Sequence, residues 1–183
     1  MPRVVRIVSP GRKYGKTSVA EEALKILKGW GLSAAAVKHA HSRPKLVGDG
    51  GRLFRAGAAH VAVLAEDGTL IQYTRAGGCC GLDERLAEAV VKGLEESFNA
   101  VIVEGFKKLP IGPAVLIVRA PEEVRQAVKD VAGPVAAVAC PNDVLEPVAA
   151  EAREALPDAD VIPLERAAEY VARLILGREA KPL

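Results

Sequence analysis

The sequence predicts an α/β fold in which a mainly parallel sheet lies between two layers of helices. Short apolar runs of strand length alternate with longer stretches whose apolar residues recur at helical spacing. This alternation is typical of parallel strands that are connected by helices. In addition, a loop rich in glycine and basic residues joins the first apolar run to the first helical stretch. We therefore expect one three-layer α/β/α domain over residues 1–183, with a β-hairpin inserted in it.

Composition and charge favour a soluble protein that binds a small anion. The 183 residues carry a formal net charge of +2, and the basic residues are scattered, which argues against a nucleic-acid-binding face. No apolar run approaches the ~18 residues of a membrane span, and the N-terminus lacks a signal pattern. We expect a cytoplasmic protein without a membrane partner. The adjacent Cys79 and Cys80 fit a tight turn of small residues better than redox chemistry or pairing between subunits.

The first elements follow directly from hydrophobic periodicity. The apolar run at residues 4–8 predicts a strand, and a helix is predicted at 16–28, where Gly29 and Gly31 end it. The apolar residues of this helix that share one face are Val19, Ala23, Leu24, Ile26 and Leu27. Residues 32–37 form a short apolar run that fits a buried strand.

The middle of the chain predicts a loop at 42–51, a short helix at 52–58 and then a hairpin. Strand-like runs at 60–64 and 69–74 flank Asp67-Gly68, and such a pair between two runs is a strong hairpin signal. The remaining predicted elements are helices at 82–97, 121–131, 143–156 and 164–176, and strands at 100–103, 114–118, 134–139 and 160–162.

Residues 8–18 have the context and composition of a phosphate-binding loop. Such a loop lies between a strand and a helix, and it surrounds the phosphates of a nucleotide with backbone N–H groups and the helix N-terminus. Lys16 would bind the β- and γ-phosphates, Thr17 a magnesium ion and Ser18 the α-phosphate. The predicted nucleotide-binding residues of the loop are Gly11, Arg12, Lys13, Tyr14, Gly15, Lys16, Thr17 and Ser18.

One position departs from the pattern G-x-x-x-x-G-K-[ST]. Pro10 stands where the first glycine belongs, and proline has no N–H group. We expect the loop to remain competent, because the N–H groups that contact phosphate come mainly from residues 13–17. The alternative is an ordinary strand-to-helix turn with a surface lysine.

Two carboxylates are candidates for the metal site and for catalysis. Glu104 follows the most apolar strand, where nucleotide-binding folds of this kind place a carboxylate that holds magnesium or orients the attacking water. Asp49 lies in the glycine-rich loop after the second strand, and its alternative is an ordinary turn aspartate. Together with Lys16 these are the predicted catalytic residues, and together with Thr17 they are the predicted metal ligands.

Polar residues also follow two other strands. Lys38, His39 and His41 end the second strand, and the two histidines face the same side of an extended chain. They could contact phosphate or form an incomplete metal-binding pair. Asn142 follows the strand at 134–139, where many nucleotide-binding proteins read a purine, and with Asp143 it could bind a guanine edge. With Asp143 it could equally cap the next helix.

The order of these motifs resembles the MobB family, the P-loop adaptor proteins of molybdopterin-guanine dinucleotide biosynthesis. The matching stretches are GKTS at 15–18, VKHAH at 37–41, DGGR at 49–52, AGA at 56–58 and VEGFK at 103–107. They cover roughly the first two-thirds of the chain in the order of the family. The combination of KHxH with VEGFK discriminates far better than a P-loop alone.

The resemblance implies a P-loop nucleotide-binding domain that binds GTP and Mg²⁺ and has feeble GTPase activity. It further implies a homodimer that assists the MobA-like guanylyltransferase in joining GMP to molybdopterin, and molybdopterin itself is a candidate second partner. Of the family's motif residues, the carboxylates correspond to Asp49 and Glu104 and the arginine to Arg52. The residues expected to contact phosphate or a partner are Lys38, His39, His41, Arg52 and Lys107.

The chain departs from the family pattern in several places. Besides Pro10, the loop interior at 12–14 is bulkier and more basic than usual, Gly50 replaces a serine, and Ser42 leaves the histidine pair incomplete. These changes bear more on hydrolysis than on binding, since added positive charge favours an anion. The alternative function is that of a small-molecule kinase or a metal-insertion GTPase of the P-loop class, and a scaffold without nucleotide affinity is a third.

Overall fold

The computed structural model describes residues 3–39, 48–56, 60–64, 70–74 and 84–177. The chain divides into two compact units, one of residues 1–39 and 87–183 and one of residues 40–86. The strands are β1 Val4–Val8, β2 Ala34–Lys38, β3 His60–Leu64, β4 Leu70–Thr74, β5 Ala100–Glu104, β6 Ala114–Ile117, β7 Val135–Cys140 and β8 Asp160–Pro163. The helices are α1 Lys16–Gly29, α2 Gly48–Arg55, α3 Glu84–Ser97, α4 Glu122–Asp130, α5 Leu145–Ala155 and α6 Ala167–Ile175.

The larger unit contains a six-stranded sheet in the order β2-β5-β1-β6-β7-β8, and every pairing is parallel. All six strands therefore end at one edge. The carboxyl end of β1 lies beside that of β5, since Ile7 pairs with Glu104, and β2 pairs on the other side with Lys38 opposite Glu104. The smaller unit contains the predicted hairpin, in which β3 and β4 pair antiparallel. The predicted Asp67-Gly68 turn lies outside the described residues.

Alternating strand residues form two apolar cores on opposite faces of the sheet. On one face Ile7, Ile102 and Val115 are buried beneath α1 and α6. On the other face, Leu116 and Val138 pack against α4 and α5, while α3 covers the part formed by β5. This arrangement confirms the predicted three-layer α/β/α architecture.

Arg6 is a buried charge on the central strand. It has no exposed surface, and its guanidinium donates hydrogen bonds to the carbonyl oxygens of Gly112 and Lys107, each at 3.3 Å, and of Ala132. Burial lowers the pKa of this guanidinium. Arg6 therefore ties β1 to the loop after β5 and to the connection between α4 and β7.

The predicted helix at 52–58 is wrong in its bounds, because α2 begins at Gly48 and ends at Arg55. Asp49 therefore lies in the first turn of a helix rather than in a loop. Three of the four residues at 48–51 are glycines, and each lowers helix propensity by about 1 kcal/mol relative to alanine, so the local sequence pointed to a loop. A carboxylate in the first turn is favoured by the helix dipole.

Two predicted helices begin with a tighter turn. Residues 142–144 and 164–166 form 3₁₀ turns before α5 and α6, as is frequent at helix N-termini. The longest described helices, α1 and α3, have 14 residues each, and no helix in this part of the chain has the length and hydropathy of a transmembrane span.

Candidate nucleotide-binding site

The loop between β1 and α1 has a backbone suited to a tight turn around a ligand. Gly15 precedes α1 with φ 87°, a left-handed conformation that glycine adopts without steric cost. Lys13 also has positive φ, at 63°. Ser9 is buried, and its hydroxyl donates to the carbonyl oxygen of Gly11 at 2.7 Å. A hydrogen bond within the loop thus stabilises its conformation.

Lys16 lies across this loop. Its ammonium donates to Ser9 Oγ at 2.6 Å and to the carbonyl oxygen of Gly11 at 2.8 Å. Burial lowers the pKa of Lys16, and the Glu104 carboxylate acts against this shift. A partly desolvated ammonium beside a left-handed glycine and a helix N-terminus is a strong ligand for phosphate.

Thr17, Glu104 and Lys38 form a polar triad at the carboxyl ends of β2 and β5. Thr17 Oγ1 lies 3.1 Å and 3.0 Å from the two carboxylate oxygens of Glu104, and its one O–H donates to this carboxylate. Lys38 Nζ donates to Glu104 Oε2 at 2.7 Å and to Thr17 Oγ1 at 2.9 Å. The Glu104 side chain is 13% exposed and that of Lys38 is 54% exposed. A hydroxyl and a carboxylate are hard oxygen donors of the kind that Mg²⁺ prefers, so the pair fits the predicted metal site.

A second set of contacts supports the interior of the loop from α4 and from the turn before it. Tyr14 donates through its hydroxyl to Glu123 Oε1 at 2.5 Å, a bond that raises the pKa of Tyr14. Arg119 lies with its guanidinium carbon 4.9 Å from the centre of the Tyr14 ring and donates to the carbonyl oxygen of Lys13 at 2.5 Å. Its backbone N–H donates to Glu123 Oε2 at 2.7 Å. Sequence reasoning missed Arg119 and Glu123, and the one available signal was the unusual bulk of Tyr14, which needs support.

The stretch after β5 contains one more predicted residue, Lys107, and contacts another, His39, which follows β2. Lys107 donates to the carbonyl oxygen of Pro10 at 3.3 Å and lies 3.8 Å from an Asp130 carboxylate oxygen, so it anchors the start of the loop. The ring of His39 packs on Phe106 with centroids 5.0 Å apart. A Cβ on Gly105, whose φ is 92°, would lie 2.8 Å from His39 Cβ, which accounts for glycine at this position.

Asn142 lies at the carboxyl end of β7, two strands away from β1. It is exposed, and its amide donates to the carboxylate of Glu165. Neither the 3₁₀ turn at 142–144 nor α5 has a side-chain capping bond, so the interpretation of Asn142 and Asp143 as helix caps is wrong.

Three other predicted site residues belong to the smaller unit. Arg52 lies on α2 and is exposed, and Asp49 lies in the first turn of α2, although its side chain is outside the described part. His41, like Cys79 and Cys80, lies outside the described residues. Within the described ranges, no three His, Cys, Asp or Glu side chains come together as metal ligands.

The loop residues surround an open cleft of about 310 Å³. Its volume is at the lower end of the range for small-molecule sites. The residues that line it are Lys13, Tyr14, Gly15, Lys16, Thr17, Ser18 and Glu104. All seven were predicted from the sequence as nucleotide or metal ligands.

Known proteins provide independent evidence on the fold and the family. The structure resembles that of Bacillus subtilis MobB, with 21% identity, a TM-score of 0.64 and coverage of 98% of this chain and 99% of that one. A MobB homolog from Bacillus stearothermophilus has 20% identity and a TM-score of 0.63, and the match covers 98% of this chain and 99% of that one. The hydrogenase maturation factor HypB from Archaeoglobus fulgidus has 15% identity and a TM-score of 0.53, and the match covers 96% of this chain and 87% of that one. At these identities the likeness shows the fold, and it confirms the predicted P-loop NTPase architecture.

The family evidence comes from the sequence. No curated protein matches the chain at a significant level. The family model of Molybdopterin guanine dinucleotide synthesis protein B, MobB, matches residues 4–141, which include the loop, the triad and the stretch after β5. Because this match covers well over half of the chain, the protein belongs to the MobB family of molybdopterin guanine dinucleotide synthesis proteins.

Proposed function

We propose that the protein binds GTP with Mg²⁺ in the cleft between β1 and α1 and, so loaded, assists the MobA-like guanylyltransferase that joins GMP to molybdopterin. The observation that carries the proposal is the convergence of Lys16 and the Thr17–Glu104 pair on one cleft. In this arrangement Lys16 binds the β- and γ-phosphates, while Thr17 and Glu104 hold the metal ion. A bound magnesium ion would neutralise charge that the phosphates bring into the cleft.

The lining of the cleft favours slow hydrolysis. Among the described residues that line it, Glu104 is the single carboxylate, and both Thr17 and Lys38 already hydrogen-bond to it. A carboxylate so engaged is a poor base for an attacking water. Unaided P-loop GTPases turn over at about 10⁻⁴ to 10⁻² per second, and we expect a rate in this range. Such a protein acts through what it binds more than through its own turnover.

The remaining residues extend the proposal. The Asn142 amide, which follows β7, donates to the carboxylate of Glu165, which follows β8. We propose that these two side chains read the guanine edge. Asp49 is proposed as a second metal ligand, and Arg52, His39 and His41 as contacts of phosphate or of the partner. We further propose a homodimer in the cytoplasm.

The direct test is calorimetric titration of GTP and of ATP, each with Mg²⁺, into the wild type and Lys16→Ala. Loss of a charged phosphate ligand should weaken GTP binding by roughly ten- to a hundredfold. The matched control is Lys25→Ala, which removes an exposed lysine of α1 that pairs with Glu22. When the same variants are added to the guanylyltransferase with molybdopterin, Lys16→Ala should raise the rate of dinucleotide formation less than the wild type or Lys25→Ala does.

Two outcomes would contradict the proposal. A preference for ATP with transfer of phosphate to a metabolite would indicate a kinase. Equal GTP binding by the wild type and Lys16→Ala would show that the loop does not hold the phosphates.

A further inference from the structure

The Lys38 ammonium contacts both groups that would hold a metal ion. Its nitrogen lies 2.7 Å from Glu104 Oε2 and 2.9 Å from Thr17 Oγ1. The register of the sheet imposes this position, because Lys38 pairs with Glu104 on the neighbouring strand, and paired residues project to the same side. The Lys16 ammonium instead binds Ser9 and Gly11. One lysine thus belongs to the phosphate loop and the other to the metal donors.

A magnesium ion held by Thr17 and Glu104 would compete with this ammonium for the same oxygen atoms. Mg²⁺ binds oxygen ligands at about 2.0–2.1 Å and demands near-octahedral geometry. An ion on Thr17 Oγ1 and the Glu104 carboxylate would therefore lie against the Lys38 nitrogen, which already contacts both oxygen donors. Like charges at such separations repel strongly where water is partly excluded, and Glu104 is largely buried.

We propose that Lys38 is a specificity-determining residue, whose ammonium and a divalent cation bind the Thr17–Glu104 pair in alternation. This inference rests on the proposed function. Lys38 has the freedom to move, because its side chain is more than half exposed and carries the ammonium on a flexible four-carbon stem. While it is bound to Thr17 and Glu104, the ammonium supplies positive charge beside the cleft. A metal ion must displace the ammonium in order to bind, and this requirement weakens metal binding. Lys38 therefore reduces the dependence of nucleotide binding on Mg²⁺.

The first experiment requires no nucleotide. Mn²⁺, which shares the oxygen ligands of Mg²⁺, is titrated into the full chain and the free ion is followed by electron paramagnetic resonance. Lys38→Met should bind Mn²⁺ about tenfold more tightly than the wild type, and Lys38→Arg should resemble the wild type because it keeps the cation. Addition of Glu104→Gln to Lys38→Met should abolish the gain. Lys25→Met removes an equal charge from an exposed position on α1 that pairs with Glu22, and it should have no effect.

The second experiment measures the dissociation constant of GTP in EDTA and in Mg²⁺. The dissociation constant in EDTA divided by that in Mg²⁺ should be about tenfold larger for Lys38→Met than for the wild type and Lys38→Arg. Equal Mn²⁺ affinities of the wild type and Lys38→Met, or equal ratios, would overturn the proposal. Absence of GTP binding in the wild type would refute the proposed function alone, since the Mn²⁺ titration still decides the role of Lys38.

Discussion

Arg6 shows how a single residue can stabilise the centre of the sheet through backbone oxygens. Its guanidinium satisfies carbonyl groups of Lys107, Gly112 and Ala132, all more than 100 residues away along the chain. A buried carbonyl that loses its donor costs about 1–3 kcal/mol. The stability of the larger unit should therefore depend on this side chain.

We predict that Arg6→Met lowers the free energy of unfolding by roughly 2–4 kcal/mol, because methionine fills the space and removes the guanidinium donor of the Gly112 and Ala132 carbonyls, while the Lys107 carbonyl still accepts from the Ala132 N–H. Urea denaturation followed by circular dichroism measures the change. The control is Arg3→Met, which removes an exposed guanidinium bonded to the Glu95 carbonyl and should shift stability by less than about 0.5 kcal/mol. Equal stability of the two variants would show that the bonds of Arg6 contribute nothing net.

Residues with motif chemistry were predictable, whereas Arg6 was not. Lys16, Thr17 and Glu104 belong to local patterns that predict a nucleotide site, and the structure brings them to one cleft. Arg6 stands in an otherwise apolar strand, and its acceptors come from distant loops that no local pattern reveals. The same holds for Arg119, whose partners Lys13 and Tyr14 lie on another element.

At the scale of elements, the phosphate-binding loop depends on α4 and the turn before it. Lys13 occupies a left-handed conformation that costs a residue other than glycine about 1–3 kcal/mol. The Arg119 guanidinium bonds to the carbonyl of this residue and stacks on Tyr14, while Glu123 accepts from the Tyr14 hydroxyl. The loop is thus ordered by contacts that the ligand does not have to provide.

We predict that Arg119→Ala weakens GTP binding roughly fivefold, mainly through faster dissociation, because the loop must then be ordered at the expense of binding energy. Stopped-flow displacement of a fluorescent GTP analogue measures the dissociation rate. Arg125→Ala is the matched control, since Arg125 on α4 pairs with Glu151 and Glu154 on α5 and should leave the rate unchanged. An unchanged rate in Arg119→Ala would mean that the loop keeps its conformation without this support.

The bounds of elements were predictable where hydrophobic periodicity was strong. β1 was located to the residue, and α1 and β5 to within one residue. α2 was misplaced because glycines conceal its first turn, and the 3₁₀ turns before α5 and α6 share the polar composition of a helix start. Local propensity does not resolve such ends.

At the scale of the whole molecule, the modest net charge conceals a local excess of positive charge. Six cations, Arg12, Lys13, Lys16, Lys38, Lys107 and Arg119, lie on or around the phosphate-binding loop. Glu104, Glu123 and Asp130 are the carboxylates that contact them there in the described structure. The formal net charge of the chain is only +2, so the excess belongs to this edge of the sheet.

We predict that GTP associates several-fold more slowly at physiological salt than at low salt, while its dissociation rate changes little. The Debye length falls from roughly 30 Å at 0.01 M salt to roughly 8 Å at 0.15 M, which screens the attraction during encounter. Stopped-flow association at several salt concentrations measures this effect. Lys13→Gln should flatten the salt dependence, and a salt effect confined to dissociation would contradict the prediction.

The sheet order could not be predicted from the sequence. The patterns indicated parallel strands and placed polar groups at their carboxyl ends, but they did not indicate that β5 lies between β2 and β1. Strand order arises from contacts between distant segments, which single-sequence periodicity does not encode. The general rule for parallel sheets therefore predicts that Thr17, Lys38 and Glu104 lie near the same edge. It does not predict the hydrogen bonds between them.

The position of β1 also has a consequence for synthesis on the ribosome. Its two neighbours in the sheet are β5 and β6, which begin at residues 100 and 114. At elongation rates of about 5–20 residues per second, an emerging β1 waits roughly 5–20 s for its first partner. During that interval a strongly apolar strand has both edges open, the condition under which nascent chains pair wrongly or recruit chaperones. The central strand of the finished sheet is thus the first of the six to be made, and more than half of the chain must be made before it can pair.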